Sequence, residues 1–399
     1  MKTDYIHTPE GVRDIYGEEY DRKIQIQNRV HSRIREYGYR DIQTPTFEFL
    51  EIFGKEIGTT PVKDLYKFFD SDGNILCLRP DFTPSIVRSA VKYFSREELP
   101  LRFSYQGNTF ANTSLLQGKL KETTQMGVEL MGDPSVEAEG EIISLVTEAL
   151  LSTGLCEFQI SIGQVDFFSG ICREHSLHFL QEEKLRVLIS NKNYLAAEEF
   201  LRSEGFPEEV IRDFMKIEDL FGSVEVLNEA ACVASHPKSQ EAIRRLRLLY
   251  DVLTAYGVEK YVSFDLGMLS SYQYYTGIIF KVYTYGIGDV VAKGGRYDRL
   301  LPKFGKDSSA IGFVVLIDDL MQALDRQKIE IPTPADITMI LYSSQMYGKA
   351  LRRAGEMRKA GKKVLLTALE KDKTPEEYEA YARRQGICEI IMMDGGQEG

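Results

Sequence analysis

The sequence lacks the features that mark several common classes of protein. It has no long uncharged apolar run, so we expect no transmembrane helix. The N-terminal stretch MKTDYIHTPEGVRD lacks the apolar core of a signal peptide, which predicts a cytoplasmic protein. The 5 cysteines form no Cys-x-x-Cys pair, which favours reduced, mostly packed thiols over a disulfide framework or a zinc site.

Positive charge is also in the minority. The chain has 49 Lys and Arg residues against 60 Asp and Glu residues, and its formal net charge is −11. Proteins that grip nucleic acid usually present a basic face, because phosphate contacts supply most of the affinity. No stretch interleaves Lys or Arg with stacking aromatic residues in a persuasive pattern, so we expect no nucleic-acid partner.

Two further kinds of site are not supported by the spacing of residues. No Gly-x-x-x-x-Gly-Lys-Ser/Thr loop for nucleotide phosphates is present. His175 and His178 lie three positions apart on a predicted helix, but no cysteine or acid at a second spacing completes a metal site. We therefore expect solvated histidines, no bound metal and no cofactor.

The N-terminal third contains predicted helix and strand segments in alternation. Apolar residues between about Glu18 and Tyr37 recur at helical spacing and predict a long amphipathic helix. The stretch Asp41 to Phe49 reads as a strand, and Pro45 within it indicates a sheet edge or an interface. Leu65 to Leu78 predicts a hairpin that turns at Asp72-Gly73.

The sequence as a whole predicts a larger domain at 1–330 and a smaller one at 335–399, joined by a linker near Pro332 to Pro334. Residues 165–256 are mostly helical, with weak turns at Gly205 and at His236-Pro237, and the segment from about 170 reads as a helical insertion. After the linker, strands alternate with helices, which predicts a small parallel sheet. Other predicted elements are a helix at 136–151 and strands at 157–164, 261–269, 274–285, 289–293 and 309–316.

The central hairpin is the most informative stretch. Residues 101–110 and 122–131 alternate between apolar and polar, which predicts an antiparallel pair with one buried face. Gln125 and Glu129 lie four apart on the second strand and therefore share a face. A carboxylate and an amide on one face could hold a small polar molecule, but a solvated sheet face explains the pattern equally simply.

The spacing of this hairpin resembles motif 2 of the class II aminoacyl-tRNA synthetases in their histidyl form. The shared frame consists of Tyr105, Gly107, Phe110, Gly118, Gln125, Gly127, Val128 and Glu129. LRPDFTP at 78–84, SSYQYYTG at 270–277 and GGRYD at 294–298 also resemble the histidine-specific segments of that family. The resemblance implies an α+β fold with a class II antiparallel sheet flanked by helices, a helical insertion and a small C-terminal α/β domain.

The same resemblance implies a pocket for histidine. Asp81, Thr83 and Gln125 match the positions that meet the amino group of the ligand. Glu129, Tyr275 and Tyr297 match those that read the imidazole ring, and Tyr274 and Arg296 flank them. From the residues alone, Asp81 and Thr83 would be helix caps, and GGRYD would be a glycine turn with an ion-paired arginine.

The ATP machinery of the family is not matched. Ala111, Ser270 and Asp319 stand where the family has arginine, and fixed cations supply most of the stabilisation of a reacting phosphate. The carboxylate of a bound histidine also loses its expected partners, for which Lys119, Lys121 or backbone amides are the alternatives. We therefore expect no adenylation and no catalytic residues.

A synthetase frame with a histidine pocket but without ATP chemistry is similar to the regulatory subunits of ATP phosphoribosyltransferase. PEGVRDIYGEE at 9–19, LRPDFTPS at 78–85 and IGQVDFF at 162–168 carry this likeness. It implies a non-catalytic chain that is required by a short catalytic subunit and mediates histidine inhibition of the first step of L-histidine biosynthesis. The predicted helix from about Glu18 to Tyr37 and the strand from Asp41 to Phe49 resemble motif 1 of the synthetases, and the likeness implies a homodimer through this segment, within a hetero-octamer. A histidine–tRNA ligase with an atypical ATP site, a stand-alone histidine- or tRNA-binding module and a structural paralogue with a dead pocket remain as alternatives.

Overall fold

The structure is a computed structural model that describes residues 6–54, 60–96, 100–112, 120–269, 275–333, 337–370 and 372–395. The chain divides into two compact units. One comprises Met1–Arg13 and Ile26–Glu330, and the other comprises Asp14–Gln25 and Ile331–Gly399. No helix in the described part of the chain is both long and apolar enough to cross a membrane.

The strands of the described residues form three sheets. Their bounds are β1 Arg40–Asp41, β2 Phe47–Phe49, β3 Lys67–Phe69, β4 Ile75–Leu78, β5 Leu101–Phe110, β6 Glu122–Met131, β7 Gln159–Gln164, β8 Phe221–Gly222, β9 Val262–Asp265, β10 Ile278–Tyr283, β11 Ala292–Arg296, β12 Ala310–Leu316, β13 Ile337–Tyr342, β14 Lys363–Ala368 and β15 Ile387–Met393. The largest sheet has nine strands in the order β1-β5-β6-β12-β11-β10-β7-β9-β8. Its six central strands, β5 to β7 along that order, pair antiparallel, while β1 with β5 and β7 with β9 pair parallel.

The described helices fall in both units, and several of them fill the segment between β7 and β9. Their bounds are α1 Gly17–Glu36, α2 Thr83–Tyr93, α3 Val136–Ser152, α4 Val165–Glu174, α5 Phe179–Ser190, α6 Tyr194–Ser203, α7 Glu208–Met215, α8 Val226–Val233, α9 Pro237–Tyr256, α10 Leu300–Lys303, α11 Ile317–Arg326, α12 Tyr347–Lys359 and α13 Pro375–Arg384. Ser135 caps α3 by accepting a hydrogen bond from the Ala138 backbone N–H at 3.2 Å. Gly257 ends α9 in the left-handed region at φ +72°, a conformation that favours glycine. The predicted α+β class and the helical character of 165–256 are confirmed.

The two smaller sheets also follow sequence patterns. β2, β4 and β3 pair antiparallel in the order β2-β4-β3, and the β3–β4 hairpin turns through Gly73 at φ +82°. In the second unit β13 lies between β14 and β15 and pairs parallel with both. The predicted hairpin and the predicted parallel sheet are therefore present in the structure.

The prediction of one strand from Asp41 to Phe49 is wrong. Arg40–Asp41 pairs with β5 in the nine-stranded sheet, whereas Phe47–Phe49 pairs with β4 in a different sheet. Pro45 lies between the two strands rather than inside either. Because proline has no backbone N–H to donate, the chain leaves the first sheet before this residue.

The glycine pair of GGRYD was interpreted, on pattern alone, as a turn, and the structure places it inside a strand. β11 runs from Ala292 to Arg296, so it begins later than the predicted strand at 289–293 and includes both glycines. Gly294 and Gly295 pair with Phe280 and Ile279 of β10. Strand β9 is also shorter than predicted, since it ends at Asp265.

The cysteines and the two histidines His175 and His178 have ordinary surroundings. Cys77 and Cys172 are buried, but Cys156, Cys232 and Cys388 are exposed, so the expectation of mostly packed thiols is wrong. His178 caps α5 by accepting from the Gln181 backbone N–H. His175 faces Asp213 at 3.5 Å.

Candidate functional site

The candidate site lies on one face of the central strands. Side chains alternate across a strand, so residues paired in register on neighbouring strands point to the same side. Glu129 of β6 pairs with Gly312 of β12, which pairs with Gly295 of β11. A row of one carboxyl group and two glycines leaves open space above the sheet next to Glu129.

Glu129 is the buried centre of the site. It is 2% exposed, and the Thr83 Oγ1 hydroxyl donates to its Oε1 at 2.6 Å. The Tyr297 hydroxyl donates to its other oxygen, Oε2. Burial, and to a smaller extent the negative charge of Asp81, raises the pKa of Glu129 to about 8 in spite of the two hydroxyl donors, which act in the opposite direction. The carboxyl group is therefore largely protonated at neutral pH.

A cavity of about 110 Å³ opens above this carboxyl group. Its volume lies below the roughly 300–1,000 Å³ of pockets for drug-sized ligands, so it suits a molecule of amino-acid size. Six of the eight residues predicted for a histidine pocket line it: Asp81, Thr83, Gln125, Glu129, Tyr275 and Tyr297. The predicted residue Tyr274, like Ser270, lies outside the described residues.

The loop before α2 holds two of these side chains. Helix α2 begins at Thr83, whose backbone N–H donates to Asp81 Oδ1 at 3.1 Å. The Asp81 side chain thus acts as a partial cap, as the pattern alone suggests. The Thr83 hydroxyl instead joins α2 to Glu129 on β6, a contact across 46 positions of sequence.

Glycines make room for the buried polar groups. A Cβ atom at Gly312 would collide with Glu129 Oε2, and one at Gly127 would lie 2.5 Å from the Tyr105 hydroxyl oxygen. The Tyr105 ring stacks on Phe82 with 4.6 Å between centroids, and burial keeps the pKa of its hydroxyl well above the ordinary value. The floor of the cavity therefore depends on the absence of side chains at these strand positions.

Arg296 does not line the cavity with Glu129. It alternates with Gly295 and Tyr297 along β11 and is 4% exposed. Its Nε donates to Glu139 Oε1 on α3 at 2.7 Å, and its Nη2 donates to the Ser135 carbonyl oxygen at 3.1 Å. The arginine of GGRYD is thus a buried ion-pair partner of a helix on the other side of the strand.

The positions where the synthetases carry cations have other roles here. Ala111 follows β5, and its backbone N–H donates to the Lys121 carbonyl oxygen at 2.9 Å. Asp319 lies in the first turn of α11 beside Asp318, whose Oδ2 accepts from the Thr124 backbone N–H at 2.6 Å. Acids at a helix N-terminus interact favourably with its positive end, but they repel phosphate.

Sequence reasoning missed Lys293 as a lining residue of the cavity. The sequence pattern places Lys293 at the end of a strand that stops before the glycine pair. In the structure Lys293 lies inside β11, on the same face of the sheet as Glu129. A signal existed, since a lysine next to two glycines within an otherwise apolar strand has to be accommodated on an open face. Tyr105 was recognised only as part of the hairpin frame.

The comparisons with known proteins agree with this geometry. A model of the family described as histidyl-tRNA synthetase matches residues 11–320. The ATP phosphoribosyltransferase regulatory subunit of Acetivibrio thermocellus is 41% identical over 394 residues, covering 97% of this chain and 92% of that protein. The protein of the same description from Clostridium acetobutylicum is 36% identical over 393 residues, covering 98% and 96%.

Solved structures give the same assignment. The crystal structure described as an ATP phosphoribosyltransferase regulatory subunit/histidyl-tRNA synthetase from Bacillus halodurans has a TM-score of 0.89 at 32% identity, covering 99% of this chain and all (100%) of that chain. The histidyl-tRNA synthetase of Nostoc has a TM-score of 0.82 at 19% identity over 98% of this chain and 92% of that one, which shows the fold alone. The chain belongs to the family of ATP phosphoribosyltransferase regulatory subunits, built on the fold of the histidyl-tRNA synthetases.

Proposed function

We propose that this chain binds L-histidine in the cavity around Glu129 and transmits its occupancy to a catalytic ATP phosphoribosyltransferase. The observation that carries the proposal is the buried Glu129 carboxyl group, fixed by Thr83 and Tyr297 at the floor of a small cavity. A fixed carboxyl group can share a proton with an imidazole nitrogen, which distinguishes histidine from aliphatic amino acids. Tyr275 lines the same space and completes the aromatic surroundings of the ring.

The other end of the ligand requires partners for an ammonium group. Asp81 supplies a carboxylate and Gln125 an amide oxygen, and both line the cavity. Charge-assisted hydrogen bonds of this type fix the orientation of an amino acid. Tyr274 stays a predicted contact, and Arg296 has no part in the proposed pocket because Glu139 holds it elsewhere.

The chain itself performs no chemistry in this proposal. Adenylation of an amino acid requires cations fixed around the reacting phosphate, and loss of one such group costs orders of magnitude in rate. Ala111 and Asp319 offer none, and Ser270 is a neutral residue by sequence. The described cavity is also small for a nucleotide together with an amino acid.

The relatives' description as regulatory subunits supports a partner, the short catalytic ATP phosphoribosyltransferase, with which the chain forms a hetero-octamer. Histidine then inhibits the first step of its own biosynthesis by favouring one arrangement of the complex. Such a coupling is typically about 1–3 kcal/mol, or roughly 5- to 150-fold in affinity. No nucleic-acid partner is required.

An aromatic patch supports a homodimer within that assembly. Phe47 and Phe49 of β2 and Phe68 of β3 share one face of the small sheet, and they are 52%, 51% and 37% exposed. Phe47 contacts Phe68 edge to face at 5.8 Å between centroids. Clustered exposed aromatic side chains are typical of protein interfaces, and β2 belongs to the segment that resembles motif 1.

The first test is calorimetric titration of the full chain with L-histidine and then with ATP. We expect a histidine signal, no pyrophosphate release from ATP, and histidine-dependent inhibition when the chain is combined with a short catalytic subunit. Adenylate formation would instead identify a histidine–tRNA ligase. Histidine binding that leaves the catalytic subunit unaffected would identify a stand-alone binding module.

The dimer is tested by Phe49→Glu. We expect the variant to run as a smaller species in light scattering, because a charge on a buried apolar interface is costly. Phe221→Glu is the matched control, since Phe221 is 59% exposed but lies on β8, at the far edge of the large sheet. An unchanged mass for Phe49→Glu would contradict the proposed interface.

A further inference from the structure

Two lysines face each other across neighbouring strands next to the candidate pocket. Lys293 of β11 pairs in register with Lys281 of β10. Like charges placed directly opposite in an antiparallel pair are destabilising. Within the described part of the chain, neither lysine has a hydrogen bond or an ion pair of its own.

Nearby carboxylates offset only part of the repulsion between the two lysines. Both side chains are partly buried. Burial lowers the pKa of Lys281, the charge of Lys293 lowers it further, and Asp265 and Asp289 act in the opposite direction. Lys192 engages Asp265 at 3.0 Å, so that carboxylate is already shared. The repulsion between the two lysines calls for an anion on this face.

Lys293 is positioned to receive such an anion from the candidate pocket. It is the one cation among the described residues that line the cavity with Glu129. Its row on the sheet, with Val314 and Gly127, is adjacent to the row of Glu129 and Gly312. Adjacent rows on the same face lie roughly 7 Å apart, and β11 lies two strands, roughly 10 Å, from β6, so the Cα atoms of Lys293 and Glu129 are on the order of 12 Å apart. Both side chains line the same cavity, so a histidine can lie between their ends.

We propose that Lys293 binds the carboxylate of the amino-acid ligand. This inference rests on the proposed function. It assigns a cation to the ligand carboxylate, for which Ala111 and Ser270 provide no arginine. Lys121 does not serve, because its side chain packs against Gly11 and contacts Asn112 rather than the cavity. Lys119 lies outside the described residues.

Selectivity follows from the arrangement. Glu129 binds the imidazole, Asp81 binds the ammonium group and Lys293 binds the carboxylate. A ligand that lacks the carboxylate loses one charge-assisted contact and leaves the lysine pair unneutralised. The site therefore responds to L-histidine and discriminates against histamine, its decarboxylated analogue.

The test measures calorimetric affinities of the full chain and its variants for L-histidine and for histamine. Lys293→Met removes the charge and retains the length of the side chain. We expect it to weaken L-histidine binding by roughly 10- to 100-fold and not to weaken the binding of histamine, which is itself a cation. Lys293→Arg should retain the preference for L-histidine. Lys281→Met is the matched control, because Lys281 lines the neighbouring cavity of about 480 Å³ and not that of Glu129.

The possible results distinguish failure of the proposed function from failure of the role assigned to Lys293. Wild-type protein that binds neither ligand overturns the proposed function, and this inference with it. Wild-type protein that binds L-histidine, with the same preference over histamine in Lys293→Met, overturns only the inference. Thermal unfolding of Lys293→Met at or above the wild-type temperature is expected, since the substitution relieves repulsion, and it excludes misfolding as the cause of weaker binding.

Discussion

Under the proposed function, the pH dependence of histidine binding follows from the pKa of Glu129. In the empty protein this pKa is raised to about 8, while the imidazole of free histidine has a pKa of roughly 6.5. Between these values the carboxyl group is protonated and the ligand ring is neutral. The complex contains the one proton that they share, so binding in this window neither releases nor takes up a proton at this pair.

Affinity should therefore form a plateau between about pH 6.5 and 8 and decline on both sides. Below the window, either the ring or the carboxyl group has to lose a proton before the complex forms. Above it, the ionised Glu129 has to regain one, and the affinity falls about tenfold per pH unit. At pH 9.5 the loss from this group is then about 30-fold relative to the plateau.

Glu129→Gln isolates this effect. Glutamine cannot ionise, so the decline above pH 8 that Glu129 causes should disappear, although the affinity on the plateau is lower because one of the two hydroxyl groups, of Thr83 or Tyr297, loses its acceptor. Deprotonation of the ligand ammonium group affects both proteins equally and cancels in their ratio. Titrations in two buffers with different ionisation enthalpies count the protons exchanged.

A wild-type affinity that is greatest below pH 6.5 would refute the reasoning. That result would mean that Glu129 is already ionised in the empty protein and recruits the imidazolium form. Parallel pH profiles for wild type and Glu129→Gln would have the same consequence. Either outcome would place the Glu129 pKa near its ordinary value despite its burial.

Two further substitutions test the packing beneath the site. Gly312→Ala should abolish measurable histidine binding and destabilise the fold by about 1–3 kcal/mol in urea titrations, because the new methyl group collides with Glu129. Gly348→Ala on α12 is the control and should not destabilise the protein, since its new methyl group meets no atom. Glu139→Ala should destabilise by about 3–5 kcal/mol in the same assay, because it removes the carboxylate that Arg296 and Arg245 share and leaves the buried Arg296 with the longer contact to Asp298 at 3.4 Å. Loss of less than about 1 kcal/mol would show that water reaches the guanidinium group.

The sequence predicts the central hairpin closely. Alternation assigns β5 and β6 to 101–110 and 122–131, and both strands have these bounds in the structure. Alternation also places Gln125 and Glu129 on one face, where both line the cavity. These predictions succeed because strand periodicity is a local property of the chain.

What the sequence alone does not predict is which distant residues meet. Glu129 is paired with Gly312 by strand register and with Thr83 and Tyr297 by hydrogen bonds, and no local pattern encodes those contacts. The resemblance supplied the residue types, but it placed Arg296 with the pocket, although alternation puts it on the opposite face. It also gave no role to Lys293, whose significance depends on the register of three strands.

The order of the pocket-forming strands has a consequence for synthesis of the chain. The helical segment between α4 and α9 separates β6 in sequence from β12, its neighbour in the sheet, and from β11, which lies beyond β12. A growing polypeptide therefore presents Glu129 unpaired with β12 until more than two thirds of its length has left the ribosome, and long-range pairing of this kind is slow. Under the proposed function, L-histidine binds only after the last of these strands is paired, so the ligand acts on completed molecules and draws folding forward by mass action. A histidine-rich cell would thereby accumulate more of the folded sensor that reports on that abundance.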